Sequence, residues 1–205
     1  WLPFGKPGPS GDRPDLDMVL TRLQETVNAM LLSGLSPALA TKILECLLQH
    51  VSIGCFNQIM LRKSYATWKR GIQIQYNLTR LEEFLTALSI PTADAFAAFN
   101  KVMQVSNLLQ IAKSLESPDN IQETCPDLSL LQVRRILMSY QPDRYDDGPV
   151  NPEIMEAIDQ QIEEELQEGE EPPEGDAGVL LEAGGVHFDI AAPPKAPVPA
   201  DQLPS

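Results

Sequence analysis

Cys46 and His50 stand four residues apart in ECLLQHVSIGC, which puts a thiol and an imidazole on one side of a helix. A cysteine beside a base is the minimum for nucleophilic catalysis, and Cys55 is a second candidate nucleophile nearby. Leu47 and Leu48 lie between Cys46 and His50, however, and a small cysteine on so apolar a helix is commonly a core residue. The enzymatic reading is weak, and no enzyme is expected. Cys46, Cys55 and Cys125 have no CxxC spacing and His187 is far from His50, so neither a zinc site nor a disulfide framework is implied. Gly5-Lys6 lacks the spacing of a phosphate loop. Glu163, Glu164 and Glu165 lack the Gly and Asp punctuation of a calcium loop and read as a solvated helix face. No cofactor or metal is expected.

The stretch LRKSYATWKRGIQIQYNLTRLEEFL carries a different chemistry. Arg62, Lys63, Lys69 and Arg70 surround Trp68, and four cations so close together can meet phospholipid head groups or phosphate backbones. The formal net charge is -14, yet residues 1–145 hold 14 Lys and Arg against 13 Asp and Glu, whereas residues 146–205 hold 1 against 16. The body of the chain is therefore nearly neutral, and one tryptophan is not a stacking platform, so nucleic acid is not an expected partner. Peripheral membrane contact is the most the cluster implies. The plainer reading makes the four cations a possible basic rim, solvated beside a buried Trp68. Asn77-Leu78-Thr79 matches a glycosylation sequon but sits in the middle of an apolar helical stripe, as a chance match would.

These residues need helices to position them. Leu16, Leu20, Leu23, Val27, Met30 and Leu31 share one helix face, with Asp15 placed to cap its start and Gly34 to end it. Ser36 and Pro37 open a second helix through Leu39, Ile43, Leu47, Val51 and Ile59 toward Lys63, with bending expected near Gly54. Trp68, Gly71, Ile74, Leu78, Leu81, Leu85 and Leu88 follow at three- and four-residue spacing and form one stripe, in which Gly71 predicts close approach of another backbone. A helix over residues 93–113 carries Phe96, Phe99, Met103 and Leu109. Ser129 caps a short helix with Leu131, Val133, Ile136 and Leu137, and Pro152 opens the last, to about Leu166. Strand-like alternation is nearly absent before residue 185, so the fold class is all-α, an elongated multi-helix bundle.

Residues 1–14 are Pro- and Gly-rich and read as a linker, residues 15–166 as the helical domain, and residues 167–205 as an acidic Pro/Gly-rich tail expected to be mostly disordered. Within that tail Val186, Phe188 and Ile190 alternate with His187 and Asp189, an extended segment with one apolar face that is expected to dock on the domain at 186–190. A short linear motif offered to another protein is the competing reading. No apolar run reads as a membrane span and no signal-peptide layout opens the chain, so a cytoplasmic setting is the simplest. The first residue is Trp1, as expected of a piece of something longer.

CFNQIMLRKSYATWKRGIQIQYNLTRLEEFL resembles the signature of the dilute domain, found in the cargo-binding globular tails of class V myosins and their class XI relatives. The likeness rests on Asn57, Arg62, Trp68, Lys69, Arg70, Gly71, Gln73, Tyr76, Asn77, Leu81, Glu82 and Glu83, with Phe84 where Trp is usual. NLLQIAKS and LSLLQVRRILMSYQPDRYDDGPVNPEI resemble downstream parts of the same family, so the likeness covers about residues 16–166. It is closest to fungal-type tails.

The resemblance implies a non-catalytic module that binds Rab GTPases or organelle adaptor proteins and links vesicles or organelles to actin-based transport in the cytoplasm. The rest of a myosin heavy chain is implied as a further partner if the chain is a piece. A motor-free dilute-domain scaffold or Ras/Rap-family effector is the alternative, and a heptad pattern upstream would separate the two. Carried over from fungal tails, a Rab-facing patch maps to Tyr76, Asn107 and Gln110. A basic residue is expected in the family at Asn107, so this chain departs there. The resemblance places Trp68 and Gly71 together in the packed wall of the bundle.

Overall fold

The computed structural model describes residues 15–88, 90, 95–115, 119–142, 149–165 and 178–182. The helices begin where local chemistry starts them. Asp15 accepts the Met18 amide at 2.9 Å and opens α1, Leu16–Leu32. Gly34, at φ 84°, closes it: the Leu35 amide reaches the Met30 carbonyl and the Gly34 amide that of Leu31, so the last carbonyls are satisfied through a left-handed residue. Ser36 caps α2, Pro37–Leu61, with Pro37 in the first turn, where its missing N–H costs nothing.

α2 runs through Gly54 without interruption and stops at Leu61, followed by a 3₁₀ turn over Lys63–Tyr65. Its 25 residues are long and apolar enough, by length and composition, to cross a bilayer, which the sequence reading had not recognised. One face of it, with Leu44, Leu48, Phe56 and Ile59, is buried core.

Thr67 caps α3, Trp68–Ala87, whose buried stripe is Gly71, Ile74, Leu78, Leu81 and Leu85. The expected helix over 93–113 is instead a 3₁₀ turn, Ala95–Phe99, leading into α4, Asn100–Ile111. The tighter turn points Phe99 into the core, fully buried and stacked on Phe96 at 6.0 Å between ring centroids. A short α5, Asp119–Thr124, follows. Ser129 and Gln132 then make a reciprocal capping box that starts α6, Leu130–Ser139. The Asn151 side chain accepts the Glu153 amide at the start of α7, Pro152–Glu165, which buries Ile154, Ile158 and Ile162 and leaves Glu163, Glu164 and Glu165 in solvent. All regular structure among the described residues is helical.

α3 and α4 form the most extensive helix pair, and Gly71 explains how. A Cβ at Gly71 would lie 2.9 Å from the Ser106 carbonyl oxygen and 3.0 Å from Leu109 Cβ, so the hydrogen of glycine lets the two backbones meet. The remaining elements are tied by specific polar bonds. Ser52 Oγ donates to the Ala98 carbonyl at 2.7 Å, the Gln141 amide to the Ala66 carbonyl at 2.7 Å, and Arg134 pairs with Asp159 between α6 and α7.

Beyond α7, residues 178–182 lie across α2 and α6. The Asn57 side-chain amide both donates to the Leu181 carbonyl and accepts the Leu181 N–H, each at 2.8 Å. Buried Gln132 closes the capping box with its oxygen and donates its Nε2 to the Val179 carbonyl at 3.1 Å. Val179, within this strap, is itself buried. The segment expected to dock, 186–190, lies outside the described residues.

Candidate cargo interface

The outer face of α3 corrects the expectation for Trp68, which is 47% exposed rather than core. Trp68 is the first residue of its helix, and at about 100° per residue it stands about 120° round from Ile74, off the buried stripe and on the side of Ile72. Ile72 and Tyr76, one and two turns further on, are 38% and 62% exposed. Trp68, Ile72 and Tyr76 therefore form an apolar ridge at i, i+4 and i+8, directed away from the buried stripe. Leu61, at the end of α2, adds a further exposed apolar side chain before the turn.

Cations border the ridge. The Arg62 guanidinium lies over the Tyr65 ring at 5.8 Å, Arg70 donates to Gln73 at 2.7 Å, and Lys63 and Lys69 are exposed. Arg80 sits 6.0 Å from the Tyr76 ring centroid and pairs with Asp17 of α1. That contact holds the Tyr76 ring from its C-terminal side, and the Asp17 hydrogen bond raises the pKa of the guanidinium.

α4 adds a polar ridge beside the apolar one. Gln110 donates one Nε2 to Gln75 of α3 at 2.9 Å and to the Ser106 carbonyl at 3.1 Å, so it is fixed against the helix that carries Tyr76. Asn107 is half-buried one turn back on α4, on the side opposite Val105 and Leu109. Gln75 and Gln110 thus link the two helices just beside Tyr76, whereas Trp68 and Ile72 extend the surface toward the basic turn. The sequence signal for those two was available in the i, i+4, i+8 spacing of large apolar residues off the main stripe.

The sulfur chemistry is closed. Burial pushes the Cys55 thiol well above its ordinary value and that of Cys125 up to about 11, and the Cys125 thiol faces the Gln104 carbonyl at 3.4 Å. His50 is exposed, while Cys46 is partly buried and lines a surface cleft. Among the described residues, no three His, Cys, Asp or Glu side chains gather as metal ligands.

The site is thus an exposed apolar ridge on α3 beside a polar pair that ties α3 to α4 in an all-helical bundle. The family model described as the DIL domain matches residues 42–144, half of the chain, and the chain belongs to that family. The dilute domain is a non-catalytic part of myosin tails, separate from the motor. The chain is similar to Myosin-2 of Lachancea kluyveri, with 28% identity over 73% of the chain and 10% of that protein. It is similar to Unconventional myosin-Vb of Homo sapiens, with 26% identity over 73% of the chain and 8% of that protein. Both relatives are class V myosins.

Among solved structures, the apo Myo2-GTD matches with a TM-score of 0.73 and 22% identity, over 93% of this chain and 48% of that one. The Myo2-GTD in complex with Inp2 matches at 0.71 and 23% identity, over 82% and 42%. The Myo2-GTD in complex with Mmr1 matches at 0.67 and 26% identity, over 73% and 38%. The chain spans about a tenth of the curated relatives it matches and less than half of the solved tails.

Proposed function

We propose that this chain is the cargo-binding part of a class V-like myosin tail, joining vesicles or organelles in the cytoplasm to actin-based transport through Rab GTPases or adaptor proteins. The supporting observation is the exposed ridge of Trp68, Ile72 and Tyr76 beside the fixed Gln75–Gln110 pair. Folding does not need three large apolar groups in solvent on one helix face, whereas a partner helix or switch region would bury them. Aromatic residues are the groups most enriched at binding hot spots, and a polar rim that excludes water completes such a site. Solved relatives that bind Inp2 and Mmr1 support the adaptor class. The Rab assignment rests on the mapping of the fungal patch onto Tyr76, Asn107 and Gln110, with a departure at Asn107.

At Asn107 a neutral amide takes the place of the family's cation, which removes one charge-assisted contact and shifts the weight of recognition onto Tyr76 and Gln110. Tyr76→Ala combined with Gln110→Glu is expected to lower affinity for a GTP-loaded Rab GTPase at least about 100-fold, in the range of two hot-spot losses, with helicity unchanged. Unchanged GTP-dependent binding in that double variant places the site elsewhere.

A further inference from the structure

α1 is attached lightly to the bundle. Leu20 and Val27 are its buried residues, and Leu16, Leu23, Met30 and Leu31 pack against the core only in part. Among the described residues, the bond from the Arg80 guanidinium to the Asp17 carboxylate is the only side-chain hydrogen bond that joins α1 to another helix. Asp17 stands in the first turn of α1, and Arg80 stands one turn beyond Tyr76 on α3, with its guanidinium 6.0 Å from the Tyr76 ring centroid. Among the described residues no other cation or ring lies against Tyr76. Asp17, Arg80 and Tyr76 therefore form a line from α1 to the end of the exposed ridge.

We infer that Asp17 is a positioning residue for the proposed partner site: through Arg80 it holds the Tyr76 ring in one orientation, so the seating of α1 sets the affinity of the ridge for its partner. The inference rests on Tyr76 being a partner contact. Both side chains of the ion pair are partly in water, so the pair adds little to stability. What it fixes is direction. Arginine carries a planar head on a long flexible stem, and a carboxylate on a second helix keeps that head beside the ring instead of in solvent. A tyrosine already braced in this way gives up less rotamer freedom when a partner covers it. The effect of Asp17 therefore belongs to binding rather than to folding, and it requires both Arg80 and Tyr76.

Two readouts test this role. In the free chain, the Arg80 Nε–H resonance, displaced by the ring current of Tyr76, is expected to move toward its position in an unstructured peptide in Asp17→Asn and to stay in place in Asp17→Glu. In binding to the GTP-loaded Rab GTPase used for the Tyr76 variant, Asp17→Asn is expected to lower affinity about three- to ten-fold with its melting temperature unchanged, the cost of ordering one side chain on binding. Asp17→Glu is expected to bind within about two-fold of the parent chain, and Asp17→Asn to add nothing in a Tyr76→Ala or Arg80→Gln background. An unmoved Arg80 resonance, an unchanged affinity in Asp17→Asn, a loss that follows a lowered melting temperature, or a full-sized effect of Asp17→Asn in the Tyr76→Ala background overturns the inference. If Tyr76→Ala binds as tightly as the parent chain, the ridge itself fails as the partner site and the role of Asp17 falls with it. A loss in Tyr76→Ala with none in Asp17→Asn leaves the ridge standing and removes only the role of Asp17.

Discussion

The two faces of α3 carry similar residue types and do opposite work. On the inner face Gly71, Ile74, Leu78, Leu81 and Leu85 are buried on the side of α4, the 3₁₀ turn Ala95–Phe99 and α1; on the outer face Trp68, Ile72 and Tyr76 stand in solvent. Hydrophobicity does not separate them, since the outer face carries the larger aromatic groups. Coverage does. The inner face has a glycine that admits a second backbone to 2.9 Å of its missing Cβ, and the outer face has cations and amides at its borders. One face therefore has its partner within the fold, and the other is proposed to find its partner outside it.

If the inner face carries stability, removing core volume next to it should cost most. Phe99→Ala deletes a fully buried ring where the 3₁₀ turn meets α4 and should lower unfolding free energy by about 3–5 kcal/mol in urea titration. A loss below about 1 kcal/mol would mean the turn is not part of the core.

The glycines sharpen the contrast. Gly71→Ala gains about 1 kcal/mol of helix propensity but forces the Ser106 carbonyl and Leu109 apart, and the overpacking should leave the variant about 1–2 kcal/mol less stable. Gly54 faces open space, so Gly54→Ala in α2 should be stabilising by about 0.5–1 kcal/mol. Equal shifts in melting temperature for the two alanine variants would remove the close approach from the account.

The smallest effect belongs to the outer face. Trp68→Ala should cost about 1 kcal/mol or less, as exposed positions do, instead of the ~3–5 kcal/mol of a buried tryptophan. The same variant separates a protein partner from a lipid one. Sedimentation with anionic vesicles should not change, and a loss of vesicle binding would make the ridge and its basic rim a membrane footprint.

Much of this arrangement was legible from local signals. Asp15, Ser36-Pro37, Ser129 and Pro152 marked helix starts because capping is a short-range bond between a side chain and nearby amides. The Gly71 approach was readable because a glycine inside an apolar stripe has few other uses. Trp68 was misassigned because three-residue spacing alone let it join the stripe, whereas at about 100° per residue it falls about 120° from Ile74 and beside Ile72. Ala95–Phe99 was read as ordinary helix because its composition suits both helix types, and α5 has too few residues to show a period. The strap at 178–182 went unread because Val179-Leu180-Leu181 is a short apolar run inside an acidic segment. Its binding partners, Asn57 and Gln132, are polar residues whose buried roles become visible only when distant parts of the chain meet. The patch at Tyr76, Asn107 and Gln110 came from resemblance alone, and the structure adds the Gln75 bridge and the neighbouring ridge.

Hydroxyl-radical footprinting tests the division of α3 most directly, because it reads the accessibility of individual side chains in the free chain and in complex with a GTP-loaded Rab GTPase or an adaptor. The account predicts rapid oxidation of Trp68 and Tyr76 and slow oxidation of Phe56 and Phe99 in the free chain, followed by a several-fold drop at Trp68 and Tyr76 alone in the complex. Slow oxidation of Trp68 in the free chain, or unchanged rates at both outer residues in the complex, would contradict it.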